Sequence, residues 1–367
     1  LAQMVETHVI TTCALDYHTW DNVYLPGESI LNGVRVLRFT VDEPRHPDFA
    51  RRTVALFEEK RTLFDEYQWM KEQGPYSTDL LNYIHDSRDR FDLFIFVTYL
   101  YPPTFFGLPR VADKPTLVPN AHDEPYLRLP AMRPLFHMPQ MIVYNTETEQ
   151  DLVNLVMRNR HVPQIVAGVG INVPDRVSAA RFRQKYGVDG SFVVYVGRVD
   201  SAKNVPELLE QFTRFRDETG HDTRLVLIGK SSLELPARSD VIPLGFVSEE
   251  DKFDAICAAD VLVMPSLYES LSLVAMEAWL MGIPTLVNGQ CEVLKSQTRR
   301  SNGGLYYYSY DEFAAALQRL LDDAPLRAQL GRQGRAFVAA NYSREVIMAK
   351  YRAILETLTA SPPESHG

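Results

Sequence analysis

Short apolar runs alternate with helix-like stretches along almost the whole chain, and this alternation restricts the possible fold more than any other feature. A first series of predicted strands comprises His8–Cys13, Val34–Phe39, Phe91–Val97, Thr116–Pro119, Met141–Tyr144 and Gln164–Val166. A second series comprises Phe192–Val196, Thr223–Ile228, Val241–Pro243, Val261–Met264, Thr285–Val287 and Gly304–Tyr307. Helical patterns fall between the strands, among them Pro47–Glu72, Thr146–Met157 and Ser248–Ala258. Such alternation predicts an α/β fold of parallel sheets with right-handed crossovers.

A segment rich in glycine and proline, AGVGINVPDR at residues 167–176, separates the two series. This composition is typical of a hinge, and 367 residues suit two domains of ordinary size. We therefore predict two doubly wound, Rossmann-like domains over 1–170 and 171–341, with the ligand in a cleft between them. A helix is predicted over 342–358 and a disordered tail over 359–367.

Composition disfavours several classes of protein. The chain is 46% apolar and 23% charged, as globular proteins are, and it has neither a secretory signal nor an apolar run that could cross a bilayer. Its net charge of −9 argues against a nucleic-acid partner and for membrane association that is at most peripheral. Three scattered cysteines lack metal-ligand spacing and fit a reducing, cytoplasmic environment.

Two pairs of charged side chains follow successive strands of the second series. Arg198 and Lys203 come after the strand that ends at a Gly197 turn, whereas Glu269 and Glu277 follow the Val261–Met264 strand. Loops at the carboxyl edge of a parallel sheet form the ligand crevice of open α/β folds. Two cations suit a diphosphate, and two carboxylates suit sugar hydroxyls. Each pair alone is as well explained by a solvated surface, and only their joint placement favours a site.

This region resembles the C-terminal domain of retaining glycosyltransferases of the GT-B fold, specifically glycosyltransferase family 4. The resemblance lies in Arg198-V-D-S-A-Lys203 and in Glu269-S-L-S-L-V-A-M-Glu277-A, which a Gly-x-Pro strand follows. The family's usual E-G-F-G reads E-S-L-S here. The resemblance is weaker in the first half of the chain, and it implies that the last helix crosses back to the first domain.

The resemblance also implies a role for each matching residue. Arg198 and Lys203 would neutralise the departing diphosphate, Glu277 would hold the ribose diol, and Glu269 would hold the hydroxyls of the donor sugar. Backbone groups at the start of the following helix would meet the phosphates, and they belong to Ser270, Leu271, Ser272 and Leu273. Gly197 would line the same loop.

Three further positions are less specific. His122, in LVPNAHDEPY, resembles the family's histidine near the donor sugar, but it would equally cap the next helix together with Asp123. Gly229 and the Phe246-Val247 pair occupy positions where the family holds the nucleotide base. Gly229 would equally be a plain turn glycine, and Phe246 a core residue.

The resulting hypothesis is a retaining hexosyltransferase that uses a nucleotide diphosphate sugar and builds a polysaccharide or glycoconjugate. Its acceptor would be a carbohydrate or a glycolipid. No D-x-D sequence occurs, so we expect no metal requirement and no cofactor. An epimerase-like enzyme of the same fold and an inactive nucleotide-sugar-binding protein remain alternatives. We also expect the chain to lack the first strand and glycine-rich loop of the GT-B fold. Base, sugar, acceptor and oligomeric state stay open.

Overall fold

The computed structural model describes residues 1–359, and the chain divides into two compact units. Unit 1 comprises Leu1–Gly168 together with the chain from Met348 onward, and unit 2 comprises Val169–Ile347. The sequence prediction placed the corresponding divisions after residues 170 and 341. Apart from Thr359, the predicted tail lies outside the described residues.

Unit 1 contains seven strands and five complete helices among the described residues. The strands are β1 His8–Thr12, β2 Gly27–Leu31, β3 Val34–Phe39, β4 Phe94–Val97, β5 Pro115–Val118, β6 Met141–Tyr144 and β7 Gln164–Val166. The helices are α1 Phe49–Glu58, α2 Leu63–Gln73, α3 Thr78–Asp86, α4 Pro102–Gly107 and α5 Glu147–Met157.

The strands of unit 1 form two sheets. A four-stranded parallel sheet has the order β4-β5-β6-β7, and a three-stranded sheet has the order β1-β3-β2. In the smaller sheet β1 is parallel to β3, whereas β2 is antiparallel to β3. The sequence prediction missed β2, and its expectation of parallel strands alone is wrong for this sheet.

The missed strand belongs to a β-hairpin whose turn is Asn32-Gly33. Both residues have positive φ, 50° and 79° respectively. Asn-Gly is the pair that two-residue hairpin turns prefer, because glycine has no Cβ and asparagine tolerates the left-handed region. The turn was therefore readable from the sequence, but the exposed side chains of β2 hid the apolar pattern of a strand.

The helical stretch predicted over Pro47–Glu72 is two helices, α1 and α2. Thr62 interrupts it, because its side chain accepts a hydrogen bond from the backbone N–H of Asp65 while the Asp65 carboxylate accepts one from the N–H of Thr62. This reciprocal capping box begins a new helix. The single-helix prediction is wrong because an internal cap looks like an ordinary polar face.

The main core of unit 1 joins the side chains of α2, α3 and α4 to those of β4 and β5. The last helix, α13 Arg344–Thr359, begins in unit 2 and continues into unit 1. There Ile354, Tyr351 and Leu358 pack with Val118 and Val143 of the parallel sheet. Within residues 1–359, no helix combines the length and apolar character needed to span a membrane.

Unit 2 contains six strands and seven complete helices among the described residues. The strands are β8 Ser191–Val196, β9 Thr223–Ile228, β10 Val241–Gly245, β11 Val261–Met264, β12 Thr285–Asn288 and β13 Gly304–Tyr307. The helices are α6 Ala179–Tyr186, α7 Val205–Thr219, α8 Glu249–Ala258, α9 Leu273–Leu280, α10 Glu292–Ser301, α11 Tyr310–Asp322 and α12 Ala324–Tyr342.

These strands form one sheet of order β10-β9-β8-β11-β12-β13, and every pair in it is parallel. The chain first builds from β8 outward through β9 to β10. It then returns to the other side of β8 and continues from β11 to β13. The strand order therefore reverses between β8 and β11, where open α/β sheets bind ligands outside the carboxyl ends of their strands.

Both faces of this sheet are covered, which explains its nearly continuous apolar strands. Alternate residues of β8 belong to different cores: Val193 and Tyr195 pack with α7 and α11, whereas Val194 and Val196 pack on the opposite face with α8. Burial on both faces is typical of parallel sheets. The loops at the carboxyl ends of these strands therefore start from buried positions.

Candidate functional site

The predicted cations and one predicted carboxylate lie at the reversal point of the unit 2 sheet. Arg198 and Lys203 follow β8, and Glu269 follows β11, the neighbouring strand. The ammonium nitrogen of Lys203 lies 2.7 Å from Oε1 of Glu269. This ion pair joins the two loops across the reversal point. Its side chains are 26% and 12% exposed, so the pair is largely shielded from water.

A short turn fixes the position of Lys203. Residues Ser201–Lys203 form one 3-10 turn, and the carboxylate of Asp200 accepts a hydrogen bond of 2.9 Å from the backbone N–H of Lys203. Asp200 also lies 3.1 Å from the guanidinium of Arg198. One carboxylate thus orients both the backbone of Lys203 and the side chain of Arg198.

The Arg198 backbone is held from within the core. The buried Tyr195 hydroxyl donates a hydrogen bond of 2.6 Å to the carbonyl oxygen of Arg198. Burial, with the carboxylates of Asp200 and Glu269 nearby, raises the pKa of Tyr195 well above its ordinary value. The tyrosine therefore stays protonated and keeps donating, while the Arg198 side chain remains 42% exposed towards solvent.

Two predicted glycines, Gly197 and Gly229, pack backbone against backbone beside this loop. Gly197 has φ 153° and Gly229 has φ 139°. A Cβ on Gly229 would lie 2.8 Å from the carbonyl carbon of Gly197, which is too close for any side chain. Gly229 also donates a hydrogen bond of 2.8 Å to the carbonyl of Gly245. The ends of β8, β9 and β10 therefore form one connected backbone surface, and Gly229 is more than an ordinary turn glycine.

Sequence reasoning missed Asn204, which ties the same two loops together. Asn204 has φ 58°, and its amide nitrogen donates a hydrogen bond of 3.2 Å to the carbonyl of Pro265 after β11. The amide of Asn288 donates to the same carbonyl at 3.3 Å. An asparagine directly after a predicted site lysine was a usable signal, because asparagine is enriched in the left-handed region.

The segment from Ser270 to Leu273 leads into α9 as predicted. Ser272 is the N-cap, and its hydroxyl accepts a hydrogen bond of 3.3 Å from the backbone N–H of Ala275. Leu271 is buried, whereas Leu273 is 43% exposed. The first N–H groups of a helix have no intrahelical partner, so this helix start can receive an anion. The change from E-G-F-G to E-S-L-S therefore preserves a capped helix start.

Glu277 lies on α9 and is 8% exposed. Its Oε1 lies 2.8 Å from the ammonium of Lys252 on α8. Sequence reasoning did not include Lys252, because no spacing rule connects two helices that are separated by a strand. The buried Oε2 of Glu277 has no hydrogen-bond partner within the described part of the chain.

Phe246 and Val247 follow Gly245 at the end of β10. Phe246 is 89% exposed, which excludes the interpretation that it is a core residue. Val247 is half-buried and packs against the core that contains β9 and α8. An aromatic ring in water beside the carboxyl edge of the sheet is available for stacking.

His122 follows β5 in unit 1 and is half-buried. Its Nδ1 lies 3.6 Å from Oε1 of Glu124, and Glu124 also accepts a hydrogen bond of 2.7 Å from the hydroxyl of Tyr99. The following 3-10 turn, Pro125–Arg128, has Glu124 as its N-cap and has no side-chain cap hydrogen bond. His122 and Asp123 therefore do not cap it, and that alternative is wrong.

A buried carboxylate, Glu149, supports the loop that carries His122. Its oxygens accept hydrogen bonds of 2.6 Å from the N–H of Ala121 and 2.7 Å from the N–H of Asn145. Burial raises the pKa of Glu149 to about 7. This residue joins the ends of β5 and β6, and sequence reasoning missed it.

Within the described residues, no three His, Cys, Asp or Glu side chains form a group that could hold a metal ion. Burial raises the pKa of the Cys291 thiol, next to Glu269, to about 11. This thiol is therefore protonated and unreactive near neutral pH. The site thus consists of paired charges, a helix start and a backbone surface.

Known proteins are similar to unit 2 in sequence and to the whole chain in fold. Residues 178–337 match the family model described as Glycosyl transferases group 1. The match covers most of unit 2 and less than half of the chain. The Alpha-D-kanosaminyltransferase of Streptomyces kanamyceticus is 31% identical over 183 residues, which cover 45% of this chain and 45% of that protein. This chain spans about half the length of the curated relatives it matches.

Two solved structures resemble this chain over most of its length. Sucrose-phosphate synthase from Thermosynechococcus elongatus has a TM-score of 0.71 at 17% identity, and the match covers 98% of this chain and 91% of that chain. Anabaena HepE in complex with UDP and glucose has a TM-score of 0.66 at 15% identity, and the match covers 88% and 86% of the two chains. At these identities the likeness shows the fold alone, which is the GT-B fold.

Proposed function

We propose that this protein is a retaining hexosyltransferase that transfers a sugar from a nucleotide diphosphate donor to an acceptor hydroxyl without a metal ion. The observation that carries the proposal is the 2.7 Å pair of Lys203 and Glu269 across the reversal point of a wholly parallel sheet. This is the position at which open α/β sheets bind their ligands. The group 1 family match and the likeness to a structure that contains UDP and glucose support the same assignment.

The cations of the site act on the leaving diphosphate. Negative charge grows on the β-phosphate as the glycosidic bond breaks, and cations fixed in advance stabilise that transition state. Arg198 and Lys203 supply two such charges, and the start of α9 supplies backbone N–H groups. A bound phosphate would share the ammonium of Lys203 with Glu269. The positive charge of this ammonium would offset the repulsion between the phosphate and the Glu269 carboxylate.

The carboxylates hold hydroxyl groups. Glu269 would accept hydrogen bonds from the donor sugar, and Glu277 would accept them from the ribose. These contacts place the anomeric carbon beside the acceptor. By the family resemblance, His122 would also contact the donor sugar. The proposed retention needs no protein nucleophile, because the departing phosphate oxygen takes the acceptor proton on the same face.

The test is release of nucleoside diphosphate from UDP-, GDP-, ADP- and dTDP-hexoses, measured with simple sugar and glycolipid acceptors and with EDTA present. We expect turnover with one nucleotide, and at least a hundredfold loss in Lys203→Met, which removes the ammonium but keeps most of the side chain. Lys185→Met is the matched control, because Lys185 forms an equally short ion pair of 2.8 Å with Asp251 in the same unit. Nucleotide binding without turnover in any combination would contradict the transferase and favour a nucleotide-sugar-binding protein.

A further inference from the structure

Lys252 and Glu277 form a shielded ion pair between α8 and α9. The Lys252 ammonium lies 2.8 Å from Oε1 of Glu277, and the two side chains are 21% and 11% exposed. The same ammonium is 3.8 Å from Glu249, whose side chain is 71% exposed. It also lies 4.4 Å from the centre of the Phe253 ring, in a cation–π contact. The closest and best shielded partner of Lys252 is therefore Glu277.

The two oxygens of Glu277 have different surroundings. Oε1 accepts from Lys252, whereas Oε2 is buried and has no hydrogen-bond partner within the described part of the chain. A buried carboxylate oxygen without a donor is costly, and native proteins rarely leave one except where a ligand completes it. Because Lys252 already neutralises the carboxylate, the missing donor is best supplied by a neutral hydroxyl.

We infer that Lys252 is a positioning residue which fixes Glu277 so that Oε2 alone receives both hydroxyls of a ribose. The inference rests on the proposed function, and it narrows the donor to a ribonucleoside diphosphate sugar. One oxygen can accept two hydrogen bonds from adjacent hydroxyls. A 2′-deoxyribose offers only one of them and leaves part of the acceptor capacity unsatisfied. Hydrogen bonds to a charged group discriminate by about tenfold or more.

Lys252 is needed because glutamate is flexible. Without the ammonium, neither oxygen of Glu277 has a fixed partner, and the side chain can turn away from the ligand. Lys252→Met keeps an unbranched side chain of similar length and removes the ammonium, together with its contact with the Phe253 ring. Lys252→Arg restores a cation that can reach the same carboxylate.

The test is calorimetry with UDP, GDP and ADP, each compared with its 2′-deoxy counterpart. For the nucleotide that binds, we expect the unmodified protein to prefer the ribose form by about tenfold or more. In Lys252→Met the affinity for the ribose form should fall about tenfold, and the ratio of ribose to deoxyribose affinity should fall below about threefold. Lys252→Arg should keep most of that ratio. Lys185→Met, which breaks the neighbouring pair with Asp251 on α8, should change neither value. Unfolding midpoints of all variants show whether the fold is retained.

The possible failures are distinguishable. Equal affinity for ribose and deoxyribose forms in the unmodified protein would overturn the inference while leaving the proposed function in place. An undiminished preference in a folded Lys252→Met protein would remove the role of Lys252 alone. Binding of dTDP in place of all six nucleotides would also overturn the inference. No binding of the six nucleotides or of dTDP would contradict the proposed function itself.

Discussion

Replacing Gly229 by alanine tests whether the backbone surface at the ends of β8 and β9 supports the site. A Cβ at this position would lie 2.8 Å from the carbonyl carbon of Gly197, closer still to its oxygen, and 3.5 Å from the backbone nitrogen of Arg198. These atoms belong to the peptide that leads into the Arg198 loop. The added methyl group must therefore displace backbone, since no flexible side chain is there to yield.

Two terms give the size of the effect. Alanine at φ 139° adopts a strained conformation, which costs about 1–3 kcal/mol. Overpacking against fixed backbone costs about 1–3 kcal/mol more. We therefore expect Gly229→Ala to lose about 2–6 kcal/mol of unfolding free energy. We also expect it to lose nucleotide affinity, because Arg198 moves with the displaced peptide.

Gly220→Ala is the matched control for the backbone term. Gly220 has φ 67° at the end of α7, and a Cβ there would meet no atom within 4 Å. Gly220→Ala should lose about 1–2 kcal/mol of unfolding free energy. Urea denaturation followed by circular dichroism measures both variants, and calorimetry measures their nucleotide affinity. If Gly229→Ala unfolds at the same urea concentration as Gly220→Ala and binds nucleotide normally, the reasoning about the backbone contact is wrong.

Three further predictions concern single residues. Glu269→Ala should reduce turnover far more than nucleotide affinity, whereas Glu277→Ala should weaken nucleotide affinity. Steady-state kinetics measure the turnover and calorimetry measures the affinity. Equal effects of the two substitutions would contradict the assigned roles. Glu149 has a pKa raised to about 7, so it binds a proton in the folded state that it has lost in the unfolded state. The contribution of Glu149 to the free energy of unfolding therefore falls as pH rises between about 4.5 and 7. In Glu149→Gln this pH-dependent decrease should be absent. Identical pH profiles of unfolding free energy in the two proteins would refute the assignment. Ser272→Ala should cost about 1 kcal/mol through loss of the α9 cap, and an unfolding midpoint equal to that of the parent would exclude the capping role.

The fold of unit 2 could be predicted because its strands are buried on both faces. Its central strands read as uninterrupted apolar runs, as Val193–Val196 does, and most of its strands are followed by a helix. For the helix predicted over Ser248–Ala258, Ser248 is the N-cap, and its hydroxyl accepts a hydrogen bond of 3.1 Å from the N–H of Asp251. Unit 1 was harder to predict, because β2 is wholly exposed and carries no burial pattern.

The candidate site divides in the same way. Arg198, Lys203, Glu269 and Glu277 were predicted because they follow successive strands and their spacing resembles the family's motifs. Lys252 and Glu149 were missed because their importance comes from contacts between elements, and no local pattern records such contacts. The sequence also could not show that Lys203 and Glu269 pair with each other, since that depends on β8 and β11 being neighbours in the sheet.

Calorimetric titration with UDP, GDP, ADP and dTDP in the presence of EDTA tests the central claim most directly, namely that the reversal point between β8 and β11 is a metal-independent nucleotide-diphosphate site. We expect the protein to bind one of the four selectively, and Arg198→Ala/Lys203→Ala to abolish that binding while unfolding at the temperature of the parent. Binding that survives in the double variant, or a parent that binds none of the four, would contradict the account.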